Sequence, residues 1–319
     1  MMKARHALGT ILAGLTSLSS TFAFAQTYPS KPIRIVTSPA GGGNDLPARL
    51  IARAVSGPLG QQIIVDNRPT VLIADIVAKA PPDGHTLLVT GSAHWIGPLV
   101  EKVTYDPIRD FAPIILIDRA PSVLVVHPSM PVKSVKQLIG LAKTQPGALN
   151  FSVGGPGTSN DVAAILFNAL AGVNIVRIPY KGTGPALVAV MSGEVHAMFG
   201  SAGGAASHIK SGRLRALAVG SVQPSPLSPG VPTLEASGLP GFVSEALHAL
   251  FAPAGTPPAV VARLNQEVGR YLLSPEAKDV FLKAGIETAP GTPDELTAVM
   301  KSEVARIGKV LKGAGVGVQ

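Results

Sequence analysis

Hydrophobic and polar positions follow two patterns that take turns along the chain. Short β-branched runs such as residues 33–37 predict buried strands, and longer stretches with apolar residues at helical spacing, such as 46–56, predict helices. The two patterns alternate up to residue 219, and helical patterns at 259–273 and 294–312 close the chain. Alternation of this kind is typical of parallel sheets covered by helices, so we predict an α/β fold.

The chain has two candidate boundaries. Strand patterns at 114–117 and 123–127 are separated near Ala120 and Pro121, and a stretch rich in proline and glycine at 251–257 marks a second change. A middle block that is entered and left through hinge-like segments predicts two lobes joined by a double crossover. The predicted lobes are residues 26–121 with 248–319, and residues 122–247.

The first 25 residues have the pattern of a secretory signal. Lys3 and Arg5 precede an uncharged apolar stretch at 7–18, and Ala23 and Ala25 place small side chains at the positions that a signal peptidase reads. We therefore predict cleavage after Ala25 and a periplasmic location. The apolar stretch is shorter than the ~20 residues that cross a bilayer, so a membrane-embedded protein is not expected.

The composition narrows the classes of function. The chain has no cysteine, which excludes disulfides, thiolate metal sites and a lipid attached through cysteine. The seven histidines lack metal-ligand spacing, so neither a metal nor another cofactor is predicted. The formal net charge is +8, but the basic residues are scattered and aromatic residues are only 4%, so a nucleic-acid partner is not expected. The charge either attracts anionic ligands or belongs to a solvated surface without a role.

The sequence contains no catalytic motif. Ser201 lies in Gly-Ser-Ala-Gly, which lacks the Gly-x-Ser-x-Gly spacing of a nucleophile elbow. We therefore do not predict an enzyme, while a Ser/His/Asp set that is assembled only by folding stays open. The histidines that follow the signal are interpreted as surface or core residues, and they are His85, His94, His127, His196, His208 and His248.

The strongest candidate for a binding site is a glycine-rich turn between a strand and a helix. Residues 39–45 read Pro-Ala-Gly-Gly-Gly-Asn-Asp. Such a turn at a helix N-terminus offers free N–H groups and partial positive charge to an anion. It is not a dinucleotide fingerprint, because Leu46 stands where a third glycine is required. A plain tight turn capped by Asn44 or Asp45 is the alternative, and Asp45 is expected to pair with Arg49.

Two further loops occupy comparable positions. Residues 152–160 offer glycines and hydroxyls between a strand and a helix, and residues 179–184 follow the next strand. Because open α/β sheets bind ligands at the carboxyl ends of their strands, we predict a cleft between these loops and the first turn. The candidate ligand-binding residues are Ala40, Gly41, Gly42, Gly43, Asn44, Asp45, Ser92, Ser152, Gly157, Thr158, Ser159, Tyr180, Lys181, Gly182 and Ser201.

Several short motifs occur in a specific order. They include Tyr-Pro-Ser-Lys-Pro-Ile-Arg at 28–34, Asn-Arg-Pro at 67–69, Pro-Asp-Gly at 82–84, Pro-Tyr-Lys-Gly at 179–182 and Ala-Pro-Ala-Gly-Thr-Pro at 252–257. In this order they resemble the extracytoplasmic solute receptors of the tripartite tricarboxylate transporter family, the Bug-type proteins. The resemblance implies a type II periplasmic binding protein fold, in which two α/β lobes joined by a double crossover enclose a ligand cleft. It also implies a carboxylate ligand held mainly by backbone amides, hydroxyls and water.

Some positions depart from the family pattern. No glycine-rich stretch follows Asn-Arg-Pro, Asp161 stands where histidine is usual, and Leu247 stands where tryptophan is usual. Gly200 occupies a position that is often acidic. Because an acid there could recognise an ammonium group, we predict a preference for a carboxylate without an obligatory amine.

The predicted function is capture of a small mono- or dicarboxylate by a monomer. The protein would deliver its ligand to membrane transporter subunits or present it to a sensor kinase. The two lobes would close on the anion, and closure would create the surface that the partner reads. An exported small-ester hydrolase on the same fold is the alternative.

Overall fold

The structure is a computed structural model that describes residues 28–41, 43–99, 102–155 and 158–313. The predicted signal peptide and the candidates Gly42 and Gly157 lie outside the described residues. The strands are β1 (Ile33–Thr37), β2 (Ile63–Asn67), β3 (Thr86–Gly91), β4 (Phe111–Val126), β5 (Asn150–Val153), β6 (Val176–Pro179), β7 (Ala197–Ser201), β8 (Arg215–Val219), β9 (Glu245–Pro253) and β10 (Glu287–Thr288). The helices are α1 (Asp45–Leu59), α2 (Thr70–Ala78), α3 (Ala93–Ile96), α4 (Val135–Thr144), α5 (Ser159–Ala171), α6 (Thr183–Met191), α7 (Ala202–Lys210), α8 (Pro258–Leu273), α9 (Pro275–Lys283) and α10 (Pro293–Gly313).

The strands form two groups that share β4. In the first strand group, β2, β1 and β3 are parallel, β9 runs antiparallel to β3, and the first part of β4 pairs with β9 and β10. In the second strand group, the rest of β4 pairs antiparallel with β7 and β8, while β7, β5 and β6 are parallel. The chain leaves the first group on β4 and returns to it on β9, which is a double crossover.

The crossover strand is continuous where the sequence pattern predicts two strands. Strand β4 runs through Ala120 and Pro121, so the strands predicted at 114–117 and 123–127 are parts of one strand. Pro121 pairs with Glu245 on β9, and Ser122 is the first residue that pairs with β7. A proline, which has no N–H to donate, is tolerated where the ladder passes from one partner strand to the other.

The sequence pattern also misses β9, α7 and α9. Their apolar positions are too few or too continuous to show a helical or strand period.

Helices cover both faces of each strand group. In the first group α1 and α8 bury side chains such as Ile51 and Leu264 on one face, and α2 and α10 bury Val77 and Met300 on the other. In the second group α4 and α5 cover one face, where Phe167 is fully buried, and α6 and α7 cover the other. Full burial of each large side chain stabilises the fold by roughly 1.5–3 kcal/mol.

Among the described residues, no helix combines the length and the apolar character needed to cross a membrane.

The last helix connects the two strand groups. Helix α10 packs against β4 and α3 and also against α5. The buried Trp95 Nε1–H donates to Glu303 Oε2 (2.8 Å), and Arg306 Nη1 donates to the carbonyl of Val243 (2.8 Å). Burial raises the pKa of Glu303, and the Trp95 bond opposes the rise. The charged side chains of Glu303 and Arg306 therefore lie close to the crossover between the two strand groups.

Candidate ligand-binding site

The first glycine-rich turn is organised by the buried carboxylate of Asp45. It accepts hydrogen bonds from the Gly41 N–H (2.9 Å), Arg49 Nε (3.0 Å) and Asn67 Nδ2 (2.8 Å), and Asn67 also donates to the carbonyl of Ser38 (2.7 Å). Burial opposes ionisation of Asp45, but the bonds from Arg49, Gly41 and Asn67 outweigh it and hold the pKa below its usual range. The predicted pair with Arg49 is present. The carboxylate is occupied inside the turn, so its part in binding is to shape the backbone of this turn.

Other predicted residues of the first turn are open to solvent. Ala40, Gly41 and Gly43 are exposed, and Asn44 is half-buried with no side-chain hydrogen bond to the start of α1. The alternative of a turn capped by Asn44 therefore does not apply to its side chain. Free N–H groups at the start of a 15-residue helix suit an anion.

A histidine on β9 lies beneath this turn. His248 pairs with Gly91 of β3 and with Asp118 of β4, and its Nδ1 is 2.6 Å from Asp118 Oδ1. The position that a Cβ would take at Gly43 lies 3.7 Å from His248 Nε2, and the same position at Gly91 lies 3.2 Å from Asn44 Oδ1. The ring therefore stands at the carboxyl ends of β1 and β3, where the first turn begins.

The loops of the second strand group are held against each other by backbone bonds. The Tyr180 N–H donates to the carbonyl of Val153 (2.8 Å), and the Gly182 N–H donates to the carbonyl of Gly154 (3.1 Å). Asn160 Oδ1 accepts from the Gly154 N–H (3.2 Å). A Cβ at Gly154 would lie 3.0 Å from the backbone nitrogen of Thr183, which explains why a glycine is needed at this contact. These bonds hold the loop that follows β5 against the loop that follows β6.

One cavity brings predicted residues of the two strand groups together. Ser92, which follows β3, and Ser159, at the start of α5, both line a cavity of about 80 Å³. The Ser92 N–H donates to the carbonyl of Leu247 (2.9 Å), which places the loop next to His248. Glu303 and Arg306 of α10 line the same cavity. The cavity therefore lies between the two strand groups and is bounded by the crossover.

Several predicted ligand residues have other roles in the structure. Ser152 is fully buried and its hydroxyl donates to the carbonyl of Ala186 (2.8 Å), so it is a core residue. Ser201 Oγ accepts from the Gly204 N–H (3.2 Å) and caps α7. Thr158 Oγ1 donates to the carbonyl of Gly155 within its own loop (2.7 Å). For these hydroxyls, local bonding competes with ligand binding.

The loop at 179–184 carries the candidates Tyr180, Lys181 and Gly182. The Tyr180 hydroxyl donates to Glu194 Oε1 (2.9 Å), and burial raises the pKa of this tyrosine with help from Glu194. Lys181 is exposed and Gly182 is half-buried. Tyr180 packs against the core of α6, so its ring supports the loop from below.

The prediction that the absence of an acidic side chain at Gly200 disfavours ligands with an amine is wrong. Gly200 is buried on β7, and the position that a Cβ would take there lies 3.8 Å from Ala205 Cβ and 3.9 Å from Leu187 Cδ1. A side chain at this position would therefore enter the apolar core under α6 and α7. Asp161, the other departure from the family pattern, is buried and pairs with Arg177.

A larger cavity adjoins the first one. Its volume is about 1130 Å³, and it shares the lining residues Ile165, Leu166, Arg306 and Val310 with the smaller cavity. Among the described residues, none of the predicted ligand residues lines it. The candidate site therefore stays at the turns, and this groove along α5 and α10 opens beside it.

Sequence reasoning missed the pair of His248 and Asp118. The two residues are 130 positions apart and neither belongs to a motif, so only the pairing of β4 with β9 brings them together. Asp118 is fully buried, and burial raises its pKa while His248 beside it opposes the rise. A fully buried carboxylate requires a partner, and the imidazole supplies one.

Solved structures define the class of protein to which this fold belongs. R. palustris Rpa4515 with adipate has a TM-score of 0.78 and 33% identity, and the match covers 92% of this chain and 100% of that chain. The periplasmic binding protein BugD gives a TM-score of 0.74 at 29% identity, over 92% and 100% of the two chains. MatC from Rhodopseudomonas palustris with bound malate gives 0.72 at 31% identity, over 89% and 100%. The fold is that of the periplasmic solute-binding proteins, as predicted.

The family follows from the sequence itself. Residues 47–316 match the tripartite tricarboxylate transporter family receptor. This protein belongs to that family, which confirms the resemblance carried by the ordered motifs. Its class of function is therefore that of a solute-binding receptor.

Proposed function

We propose that the protein binds a small carboxylate between two lobes, residues 26–121 with 248–319 and residues 122–247. The observation that carries this proposal is the cavity lined by Ser92 from the first strand group and Ser159 from the second. The similar structures with adipate and malate contain dicarboxylates, which supports this class of ligand.

The anion is held mainly by neutral donors. The N-termini of α1 and α5 supply backbone N–H groups, and the dipoles of both helices favour negative charge. Each amide contact to an anion contributes roughly 1.5–3 kcal/mol. Loss of Lys3 and Arg5 with the signal peptide lowers the formal net charge from +8 to +6, and this positive charge increases the encounter rate with anionic ligands at low salt.

The protein is exported by a signal peptide that is cleaved after Ala25, and it works in the periplasm as a monomer. Lobe closure around the ligand creates the surface that membrane transporter subunits or a sensor kinase recognise. The ligand leaves chemically unchanged, because the protein binds it without catalysing a reaction.

A thermal-shift screen across organic acids tests the proposal. Ligand at about 100 times its Kd stabilises the folded state by roughly 2.7 kcal/mol, which raises the Tm by roughly 5–10 °C. Chromatography of the ligand after incubation is expected to return it unaltered. A screen in which no mono- or dicarboxylate raises the Tm, or in which the acid is consumed, would refute the proposal.

A matched pair of variants locates the site. Gly43→Val places a branched side chain over the first turn and is expected to weaken binding by at least tenfold. Gly57→Val is the control, because a Cβ at Gly57, in the last turn of α1, meets no atom within 4 Å. If both variants fold and bind with the affinity of the wild type, the ligand does not approach the first turn.

A further inference from the structure

The pair formed by His248 and Asp118 is the most distinctive polar feature near the candidate site. Asp118 is 0% exposed and His248 is 8% exposed. An ionised carboxylate only accepts hydrogen bonds, so the His248 Nδ1–H points towards Asp118 Oδ1, 2.6 Å away. Among the described residues, none hydrogen-bonds to His248 Nε2, which faces the first turn at Gly43.

His248 is the polar partner of the buried Asp118. The second oxygen of Asp118, Oδ2, is buried and has no hydrogen-bond partner within the described part of the chain. His248 is the one basic group that pairs with this carboxylate there. The bond between them fixes the orientation of the ring and turns its Nε2 edge towards the first turn.

The other charged groups on the elements around the ring are engaged elsewhere. On α1, Asp45 binds Gly41, Arg49 and Asn67. On the strands beside the pair, Arg119 Nη1 donates to Glu245 Oε2 (2.8 Å), and Glu287 accepts from the Ser225 hydroxyl. Asp118 is thus the acidic side chain that contacts His248.

The ring is placed to contact an anion bound at the first turn. Within 4 Å, a Cβ at Gly43 would meet His248 Nε2 (3.7 Å), whereas the space beside Gly91 is occupied by Asn44 Oδ1 and the carbonyl of Leu247. Ser92, whose N–H bonds to the residue before His248, lines the cavity between the strand groups. Backbone N–H groups of the turn and the Nε2–H of an imidazolium would together supply donors to one carboxylate.

We propose that His248 is a ligand-contacting residue whose Nε2–H donates to the carboxylate bound at the first turn, and that Asp118 positions the ring for this contact. The inference rests on the proposed function and deepens it. Because an imidazolium has no acceptor, it favours a carboxylate and repels an ammonium group at this position. With Nδ1–H bonded to Asp118, donation from Nε2 requires a proton on both ring nitrogens, so binding of the ligand is linked to binding of a proton.

Calorimetry of the full-length mature protein tests the proposal, with succinate, malate and adipate as probes between pH 5.5 and 9. Affinity is expected to fall as the pH rises, by up to about tenfold per pH unit, because the proposed contact binds a proton together with the ligand. Buffers of different ionisation enthalpy are expected to reveal uptake of up to one proton per ligand at the upper end of this range.

Three variants separate contact from packing. H248Q keeps a side-chain donor that does not titrate, so the affinity should depend on pH much less than in the wild type. H248F removes the donor and should lose roughly 10- to 100-fold in affinity. D118N should move the pH profile to lower pH, because the ring loses its negative partner. H127Q, directly after the end of β4, is the control and should match the wild type.

The outcomes distinguish failure of the proposed carboxylate binding from failure of the proposed role of His248. If none of the acids binds to the wild type, the proposed carboxylate function fails at these probes and the role of His248 fails with it. If the wild type binds but H248Q and H248F retain its affinity and its pH profile, the role of His248 alone is refuted. Should the variants fail to fold, NMR titration of the wild-type His248 ring decides, since an unchanged ring signal on ligand addition overturns the contact.

Discussion

Replacing Asp45 by asparagine tests how the first turn is built. The substitution keeps the shape of the side chain but removes its charge and turns one acceptor into a donor. In the wild type, the Gly41 N–H, Arg49 and Asn67 all donate to this carboxylate at 2.8–3.0 Å. In Asp45→Asn at least one of these donors faces another donor, so the turn loses its organising contact.

The size of the effect follows from these bonds. A hydrogen bond to a charged group contributes about 1.5–3 kcal/mol, and the three bonds share one carboxylate, so their contributions are not additive. We expect Asp45→Asn to lower the free energy of unfolding by roughly 2–4 kcal/mol. For a chain of this size the Tm should fall by roughly 5–15 °C. Affinity for the carboxylate should fall as well, because the N–H groups of the turn are no longer held in place.

Asp279→Asn is a matched control for this substitution. Asp279 also pairs with a basic residue four positions on, since Lys283 Nζ lies 2.6 Å from its Oδ2. Both side chains are exposed, 60% for Asp279 and 74% for Lys283. Exposed ion pairs contribute little, so we expect a change below about 0.5 kcal/mol. Thermal and urea unfolding of the two variants, side by side, measure the difference.

The pH dependence gives an independent check. The pKa of Asp45 is lower in the folded protein than in the unfolded chain, because its hydrogen bonds outweigh the opposing effect of burial. The stabilisation is therefore fully present above the unfolded pKa of about 3.9 and is lost as the pH falls through the folded pKa. The gap between wild type and Asp45→Asn should be largest near neutral pH and shrink below about pH 4. A variant as stable as the wild type at pH 7, or a gap that does not change with pH, would refute this account of the turn.

Three further predictions address packing, selectivity and export. A Cβ at Gly203 would lie 2.3 Å from Gly285 Cα, so Gly203→Ala should lower the free energy of unfolding by about 1–3 kcal/mol in a urea titration. The control is Gly57→Ala, whose Cβ would meet no atom within 4 Å, and it should not destabilise the fold. Calorimetry should show tighter binding of succinate than of aspartate, because the first turn offers N–H donors and an ammonium group would be buried unpaired; a preference for aspartate would contradict this account. Protein released by osmotic shock should begin at Gln26 in its mass spectrum, and retention of Met1 would contradict the predicted cleavage.

Local patterns in the sequence were enough to predict much of this protein. The α/β class, most strands and helices of the first 219 residues, and the family are confirmed, because periodicity and ordered motifs are properties of neighbouring residues. The pairing of Asp45 with Arg49 was predictable for the same reason, since residues four apart meet on a helix. The glycine-rich turns were also visible as short motifs between a strand and a helix.

The tertiary structure alone decided which candidate side chains face the site. The hydroxyl of Ser152 donates a hydrogen bond inside the core, and a side chain at Gly200 would point into apolar packing. Neither outcome can be read from a motif. Strand β4 is continuous through Pro121 because two different strands pair with its two ends. The same strand places Asp118 against His248, 130 residues away, and that contact exists only because β4 and β9 pair in this register. Such contacts depend on long-range strand pairing, whose register is set by the packing of whole sheets and not by adjacent residues.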